Sequence, residues 1–172
     1  MVTQDFLDGL ICMDKKILKA EKKRMYREHR HYRNNFELRS CEGGHLFRAF
    51  LRYSVKDAED FSIGLTWTKT IPFIHANKPV VLLRCQGPHD GADKFMADVH
   101  NSYHVHKSTA KDVNDCRYLK PSNRSPTSAF SSFQSALAYF AKKCSITNAT
   151  EYIDFALASQ LTLADIGGMF HD

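Results

Sequence analysis

Residues 61–68, Phe-Ser-Ile-Gly-Leu-Thr-Trp-Thr, alternate apolar side chains with small or polar ones without interruption. A β-strand points successive side chains to opposite faces of its sheet, so this run predicts a strand with one apolar and one polar face. The same period of two recurs in four further runs: residues 36–39, 46–54, 80–86 and 103–107. Turn residues separate these runs. The sequence therefore predicts an antiparallel sheet of about four to five strands within residues 35–110.

Aligning the apolar faces of these strands places a polar and basic set of side chains on the opposite face, provided that no bulge shifts the register. That set is Arg48, Arg52, Thr66, Thr68, Arg84, Gln86, His104 and His106. We interpret this face as an anion-binding surface. The alternative is the ordinary solvent-exposed face of a half-buried antiparallel sheet, which is typically polar.

The two histidines on one sheet face, His104 and His106, suggest a catalytic role. Imidazole titrates near neutral pH, so His104 and His106 are predicted to act as general acid and general base. Arg48, Arg52 and Arg84 are predicted to hold phosphate and to stabilise the charge of a phosphorane-like transition state. These residues together predict metal-independent RNA cleavage through the 2′-hydroxyl.

Metal ligation is the alternative for the same histidines. An H-x-H pair on a strand can offer two nitrogens to Zn²⁺, and His89, Asp90 or His100 are candidate further ligands. Five cysteines are scattered along the chain without C-x-x-C spacing, which is typical of a reducing compartment and not of a zinc or redox motif. The leading interpretation therefore includes no metal and no cofactor.

The N-terminal segment has a different pattern. Apolar residues recur at three- and four-residue spacing from residue 4 to about 33, with no Gly or Pro after Gly9, which predicts a long helix within residues 1–34. Its second half interleaves cations with tyrosine, a composition suited to phosphates and bases. The predicted nucleic-acid contacts there are Lys22, Lys23, Arg24, Arg27 and Arg30. A solvated helix face is the alternative.

The C-terminal part reads as a polar loop at residues 120–128 followed by helices within residues 128–170. Capping-box signatures predict their starts: Ser131 with Gln134, Asn148 with Glu151, and Thr162 with Asp165. The predicted fold class is α+β, one domain over residues 1–172, in which the long N-terminal helix and the C-terminal helices cover one face of the sheet.

The charge and hydropathy of the chain limit the kinds of partner that we expect it to bind. The formal net charge is +5 and the pI is about 8.9, which favours an anionic partner. No apolar run approaches the roughly 18 residues of a membrane span, and no leader-like segment opens the chain. We therefore expect a cytoplasmic protein that does not contact a membrane.

Four motifs in this order carry a resemblance: Phe61-Ser62-Ile63-Gly64-Leu65, Leu82-Leu83-Arg84-Cys85-Gln86-Gly87-Pro88-His89, His104-Val105-His106-Lys107-Ser108-Thr109, and Phe133-Gln134-Ser135-Ala136-Leu137 with Phe140. Over residues 46–146 the chain resembles a family of small uncharacterised bacterial proteins and, more distantly, the TumE-type toxins of toxin–antitoxin modules. The resemblance implies a compact α+β fold and adds His89 to His104 and His106 as shared polar positions. The chain departs from the pattern at Cys85-Gln86, where an aromatic-Asn pair is more usual.

These observations predict a toxin-like nucleic-acid effector, a ribonuclease with RNA as substrate and a cognate antitoxin as a candidate protein partner. The alternative is a noncatalytic binding or inhibitor protein, an adaptor or a defence or counter-defence component, whose basic surface meets a protein or DNA. The alternative explains the charge without requiring the histidines.

Overall fold

The computed structural model describes residues 1–68, 79–89, 101–117 and 121–153. These ranges contain eight strands and four helices. In chain order they are α1 (Gln4–Cys12), β1 (Lys15–Ala20), β2 (Tyr26–Glu28), β3 (His31–Ser40), β4 (Leu46–Ser54), β5 (Phe61–Trp67), β6 (Val80–Gln86), β7 (His104–Lys107), α2 (Ala110–Asn114), β8 (Asn123–Pro126), α3 (Phe133–Lys143) and α4 (Ala149–Tyr152).

The eight strands form one sheet, in the order β1-β3-β4-β5-β6-β7-β8, and every pairing between them is antiparallel. β2 also pairs with β3. β1 pairs with the second half of β3 and β2 with its first residues, so both lie along the same edge of β3. Consecutive strands from β3 to β8 are neighbours, as in a meander.

One face of the sheet and the helices share a hydrophobic core. α1 buries Leu7, Leu10 and Ile11, and α3 buries residues at the same three- and four-residue spacing, as amphipathic helices on a core do. α1 contacts β6, and α3 contacts β5 and β6. The strands add Phe36, Leu38, Phe47, Ala49, Leu51, Phe61, Ile63, Leu65, Trp67, Leu83 and Cys85.

The predicted fold class is wrong. The protein is mostly β, with an eight-stranded antiparallel sheet and four short helices in the described residues, and its N-terminal helix is not long. α1 stops at Cys12, and the rest of the segment predicted as helix forms β1, β2 and the start of β3. In β1 burial alternates, with Ile17 inside and Leu18 50% exposed, so Leu18 does not belong to a buried helical stripe.

Lys15 explains why hydrophobic spacing misplaced the end of the helix. Its side chain is fully buried, and its Nζ donates hydrogen bonds to the carbonyl oxygens of Ile11 at 2.8 Å, Met13 at 2.7 Å and Cys144 at 3.1 Å. These carbonyls lie at the C-terminal ends of α1 and α3, where a positive charge is favourable. Burial lowers the pKa of Lys15 to about 8. A lysine therefore occupies an interior position that a hydrophobic pattern assigns to an apolar residue.

The predicted boundaries of the sheet also change. It begins at β1 instead of residue 35, and part of the predicted loop at residues 120–128 forms the edge strand β8. Pro126 ends this strand, in keeping with the preference of proline for edges. β8 escapes a pattern search because its four residues, Asn-Arg-Ser-Pro, contain no apolar alternation.

The predicted helix starts need smaller corrections. The N-cap of α3 is Ser132, whose side chain and that of Ser135 form the capping box, instead of Ser131 with Gln134. Asn148 is the N-cap of α4, but its side chain donates to and accepts from the backbone of Ile17 in β1, at 3.1 and 2.8 Å, and does not cap the helix. The start predicted at Thr162 lies outside the described residues.

Within the described ranges, no helix is both long and apolar enough to cross a membrane.

Replacing Lys15 by Met is expected to destabilise the fold by roughly 1–3 kcal/mol, because three buried carbonyl oxygens lose their donor. Urea unfolding followed by circular dichroism measures the change. The matched control is Lys16→Met on the exposed side of the same strand, which is expected to stay within about 0.5 kcal/mol of the parent. Equal stability of the two variants would contradict this role of Lys15.

Candidate nucleic-acid interface

The face of the sheet opposite the core carries two continuous rows of side chains, which we call the basic face. Residues directly opposite each other on paired strands share a face, so the register defines each row. The first row is Arg33, Arg52, Ser62, Gln86 and His104. The central row is Asn35, Phe50, Gly64, Arg84, His106 and Arg124.

A bulge lies between β5 and β6, but it does not break these rows. The register shifts between Leu65 and Thr66, one residue beyond the central row. Arg52, Arg84, Gln86, His104 and His106 therefore share a face as predicted. Past the bulge, Thr66 lies opposite Val81, so on β6 the polar side chains of this face end at Arg84.

Arg84 is the centre of the positive charge. Its Nε donates a 2.6 Å hydrogen bond to the Ser62 hydroxyl across the strand pair. In the described part of the chain, neither Arg84 nor Arg52 forms an ion pair with a carboxylate. Burial, and then repulsion by Arg52 and Arg124, lowers the pKa of Arg84 below its ordinary value. An anion placed among these three guanidinium groups would relieve that repulsion.

His106 lies directly opposite Arg84 and is only 5% exposed. Burial, and then the neighbouring His104, Arg84 and Arg124, lowers the pKa of His106 from 6.5 to about 3. The imidazole is therefore neutral at physiological pH. The Pro121 carbonyl accepts a hydrogen bond from the ring, and Nε2 is buried with no hydrogen-bond partner among the described residues. Because Nδ1 is then the donor, Nε2 carries a lone pair that can accept a proton.

His104 and His89 complete the histidine cluster. The His104 and His106 ring centroids lie 4.9 Å apart. His104 is fully buried, and its Nδ1 donates to the Ser102 carbonyl at 2.8 Å. His89 stacks on His104 with its centroid 5.2 Å away and its ring inclined by 14°. The structure therefore places the three predicted histidines side by side.

The predicted metal alternative gains no support from this geometry. Stacked, nearly parallel rings such as those of His89 and His104 do not point their nitrogens at a common centre. Among the residues that can be described, no group of three or more His, Cys, Asp or Glu side chains is arranged to hold a metal ion. Asp90 and His100 lie outside the described ranges.

Two local features hold the strands that carry this cluster. Gly87, before His89, lies against the backbone of the β4–β5 loop, where a Cβ would be 1.7 Å from the Glu59 carbonyl oxygen. Asp112 of α2 is fully buried, and its Oδ2 accepts hydrogen bonds from the backbone and side chains of Thr109 and Ser122. Asp112 thereby joins the end of β7 to the start of β8.

The predicted nucleic-acid contacts of the N-terminal segment are not where a helix would place them. Lys22, Lys23 and Arg24 lie in the bend between β1 and β2, where the buried Asn34 side chain bonds to the backbone of Lys22 and Arg24. Arg27 lies opposite Tyr32, so it points to the sheet face away from Arg84. Arg30 lies in the turn before β3. This segment does not continue the basic face as a helical track.

The structure adds residues that the sequence analysis did not assign to the site. Arg33 joins the first row because it belongs to β3 and not to a helix, and Arg124 joins the central row because β8 is a strand. Arg48 and Arg52 were both predicted to hold phosphate. A guanidinium nitrogen of Arg52 lies 2.6 Å from Nε2 of His31. Arg48 lies on the same face, one position past the central row, opposite Glu37.

No family model, no curated protein and no solved structure matches this chain in the comparisons with known proteins.

The lowered pKa of His106 has a measurable consequence. The unfolded chain takes up this proton near pH 6.5 and the folded chain only near pH 3, so the unfolded state binds more protons between these values. Acidification from pH 7 to 4 is therefore expected to lower the free energy of unfolding, and His106→Gln is expected to reduce that slope. Urea unfolding across the pH range measures both.

The control is His29→Asn in the exposed turn between β2 and β3, which removes an imidazole without changing the histidine cluster; an equal loss of slope in the two variants would contradict the assignment to His106. At His29 the backbone has φ 55°, a conformation that Asn tolerates. A ¹H–¹⁵N NMR titration of His106 with a midpoint near pH 6 would contradict the assignment.

Proposed function

We propose that the protein is a nucleic-acid effector that cleaves single-stranded RNA without a metal, with phosphate held by Arg52, Arg84 and Arg124. The observation that carries the proposal is the pairing of Arg84 with His106. A half-buried guanidinium without a carboxylate partner lies directly opposite a neutral imidazole whose buried Nε2 has no hydrogen-bond partner among the described residues. Arg84 on β6 thus provides the phosphate-binding group, and His106 on the neighbouring β7 provides the proton acceptor.

The reaction needs a base, an acid and charge stabilisation. His106 Nε2 accepts the proton of the 2′-hydroxyl, O2′ forms a bond to phosphorus, and the bond from phosphorus to O5′ breaks. The leaving O5′ takes a proton from His104, the general acid of the prediction. Arg84 neutralises the negative charge that develops on the phosphoryl oxygens. The products are a 2′,3′-cyclic phosphate and a 5′-hydroxyl.

Burial favours a single strand over a duplex. With His106 only 5% exposed, the ribose and phosphate have to enter between the side chains of the basic face. An A-form duplex presents its phosphates on a rigid convex surface, whereas a single strand can turn one nucleotide inward. Among the described residues, Arg52 and Arg84 of this face form no ion pair with a carboxylate, so they are also available to an acidic protein inhibitor such as an antitoxin.

The second candidate function is noncatalytic binding of nucleic acid or an acidic protein through the same surface. The full burial of His104 favours it, since a general acid must reach the leaving oxygen. In that case the arginines matter and the histidines serve only to position them.

Incubation of purified protein with a labelled single-stranded RNA tests the proposal. We expect cleavage to a cyclic phosphate, no cleavage of the 2′-O-methyl version of the same strand, and activity in excess EDTA. His106→Gln is expected to lower the cleavage rate about 100-fold or more, with RNA affinity retained. Arg84→Gln is expected to lower affinity and rate together, because it removes a phosphate contact.

His29→Asn controls for the loss of an imidazole, and Lys142→Gln on α3 controls for the loss of one positive charge away from the basic face. A folded His106→Gln variant that cleaves at the parental rate overturns the mechanism. Wild-type protein that binds the RNA without cleaving it supports the noncatalytic function. Failure to bind single-stranded RNA at all removes the ribonuclease mechanism and leaves only the noncatalytic binding of another partner, such as an acidic protein.

A further inference from the structure

An aromatic side chain stands in the middle of the basic face. Phe50 occupies the central row, so it points away from the hydrophobic core on the other side of the sheet. Its side chain is only partly buried. A large apolar ring on a polar and charged face is not explained by core packing.

Gly64, the neighbour of Phe50 on β5, holds this ring in place. A Cβ at Gly64 would lie 2.2 Å from Cζ and 2.3 Å from Cε1 of Phe50, so the ring extends over the glycine backbone. Glycine is the residue that permits this close approach. The ring is thus supported from beneath by β5, as a stacking platform needs to be.

Cations flank the ring. Arg48 and Arg52 precede and follow Phe50 by two residues on the same face of β4, and Arg84 lies two strands away in the same row. Two strand spacings amount to about 10 Å between backbones, a gap that the Arg84 side chain partly spans. A base stacked on Phe50 can therefore keep its phosphate within reach of Arg84. Aromatic rings interleaved with cations are typical of single-strand binding surfaces.

A polar cleft adjoins the same row on the side away from Arg84. Its volume is about 290 Å³, and it is lined by Lys19, Glu21, Arg33, Asn35, Glu37 and Arg48. Asn35 lies directly opposite Phe50. Two carboxylates make the cleft less suitable for a phosphate than the arginine cluster, but carboxylate and amide groups can bind the donor edge of a base. The cleft thus extends the surface beyond Phe50.

We propose that Phe50 is a stacking platform for one base of a single-stranded RNA, next to the phosphate site at Arg84. This inference rests on the proposed function, and it names a recognition residue that contacts the base and takes no part in proton transfer. Stacking accepts any base, so the platform selects for an unpaired strand and not for a sequence.

Fluorescence anisotropy with a labelled 2′-O-methyl RNA 12-mer tests the platform, because this strand binds without being cleaved. Phe50→Leu is expected to weaken binding about tenfold, whereas Phe50→Trp keeps the parental affinity. Inorganic polyphosphate, which has no bases, should compete equally well against the parent and Phe50→Leu. Arg84→Gln should weaken both ligands. Phe6→Leu, a half-exposed phenylalanine of α1, is the matched control and should leave binding unchanged.

A second measurement uses the unaltered protein. Photo-crosslinking of a strand that contains 5-iodouracil, followed by peptide mass spectrometry, is expected to mark Phe50. Equal RNA affinity of parent and Phe50→Leu, or crosslinks confined to other residues, overturns the platform and leaves the proposed function standing. Absence of any RNA binding by the parent overturns both.

Discussion

The architecture of the candidate site depends on one constraint, the antiparallel register that β3 to β8 keep through both rows of the basic face. Because side chains alternate with a period of two, a one-residue slip of β6 or β7 would move Arg84 or His106 to the core face. The single bulge of the central strands falls after Leu65, outside both rows, so that the twist of the sheet changes without interrupting them. The basic face exists because the alternation of side chains stays in register across the six strands β3 to β8.

The buried ammonium of Lys15 supports this arrangement from the other side. It joins the ends of α1 and α3 to β1, and Asn148 and a backbone bridge between Lys15 and Ile146 tie the start of α4 to the same strand. The helices are thereby fixed over the apolar face, which leaves the opposite face free of helical cover from α1 and α3. One lysine in the interior thus contributes to the separation of core and site.

Much of the sheet could be predicted from alternation alone. Residues 46–54 and 80–86 coincide with β4 and β6, and the shared face of Arg52, Arg84, His104 and His106 follows from the same period. The N-terminal part could not be predicted in this way, because a lysine supplies the buried position of β1. The polar strand β8 has no apolar alternation, so it could not be predicted from the hydrophobic pattern either. Arg124, which lies on β8, was therefore not assigned to the site.

The protonation state of His106 and the role of Phe50 could not be predicted from the sequence alone, because both depend on tertiary contacts. The sequence predicts an imidazole that titrates near neutral pH, but burial, and then three neighbouring cationic or imidazole groups, keep His106 neutral. The ring next to Arg84 is therefore unprotonated at neutral pH. Phe50 similarly looks like a strand residue of ordinary type until Gly64 and the flanking arginines are placed around it.

The most direct measurement is a ¹H–¹⁵N NMR titration of the intact protein with an uncleavable single-stranded RNA, following backbone amides and arginine Nε–H groups together. We expect the largest shifts at Arg52, Arg84 and Arg124 and in β4 to β7, with small shifts in α3. Shifts confined to the exposed basic segment at residues 22–30 would contradict the claim that the basic face is where nucleic acid binds.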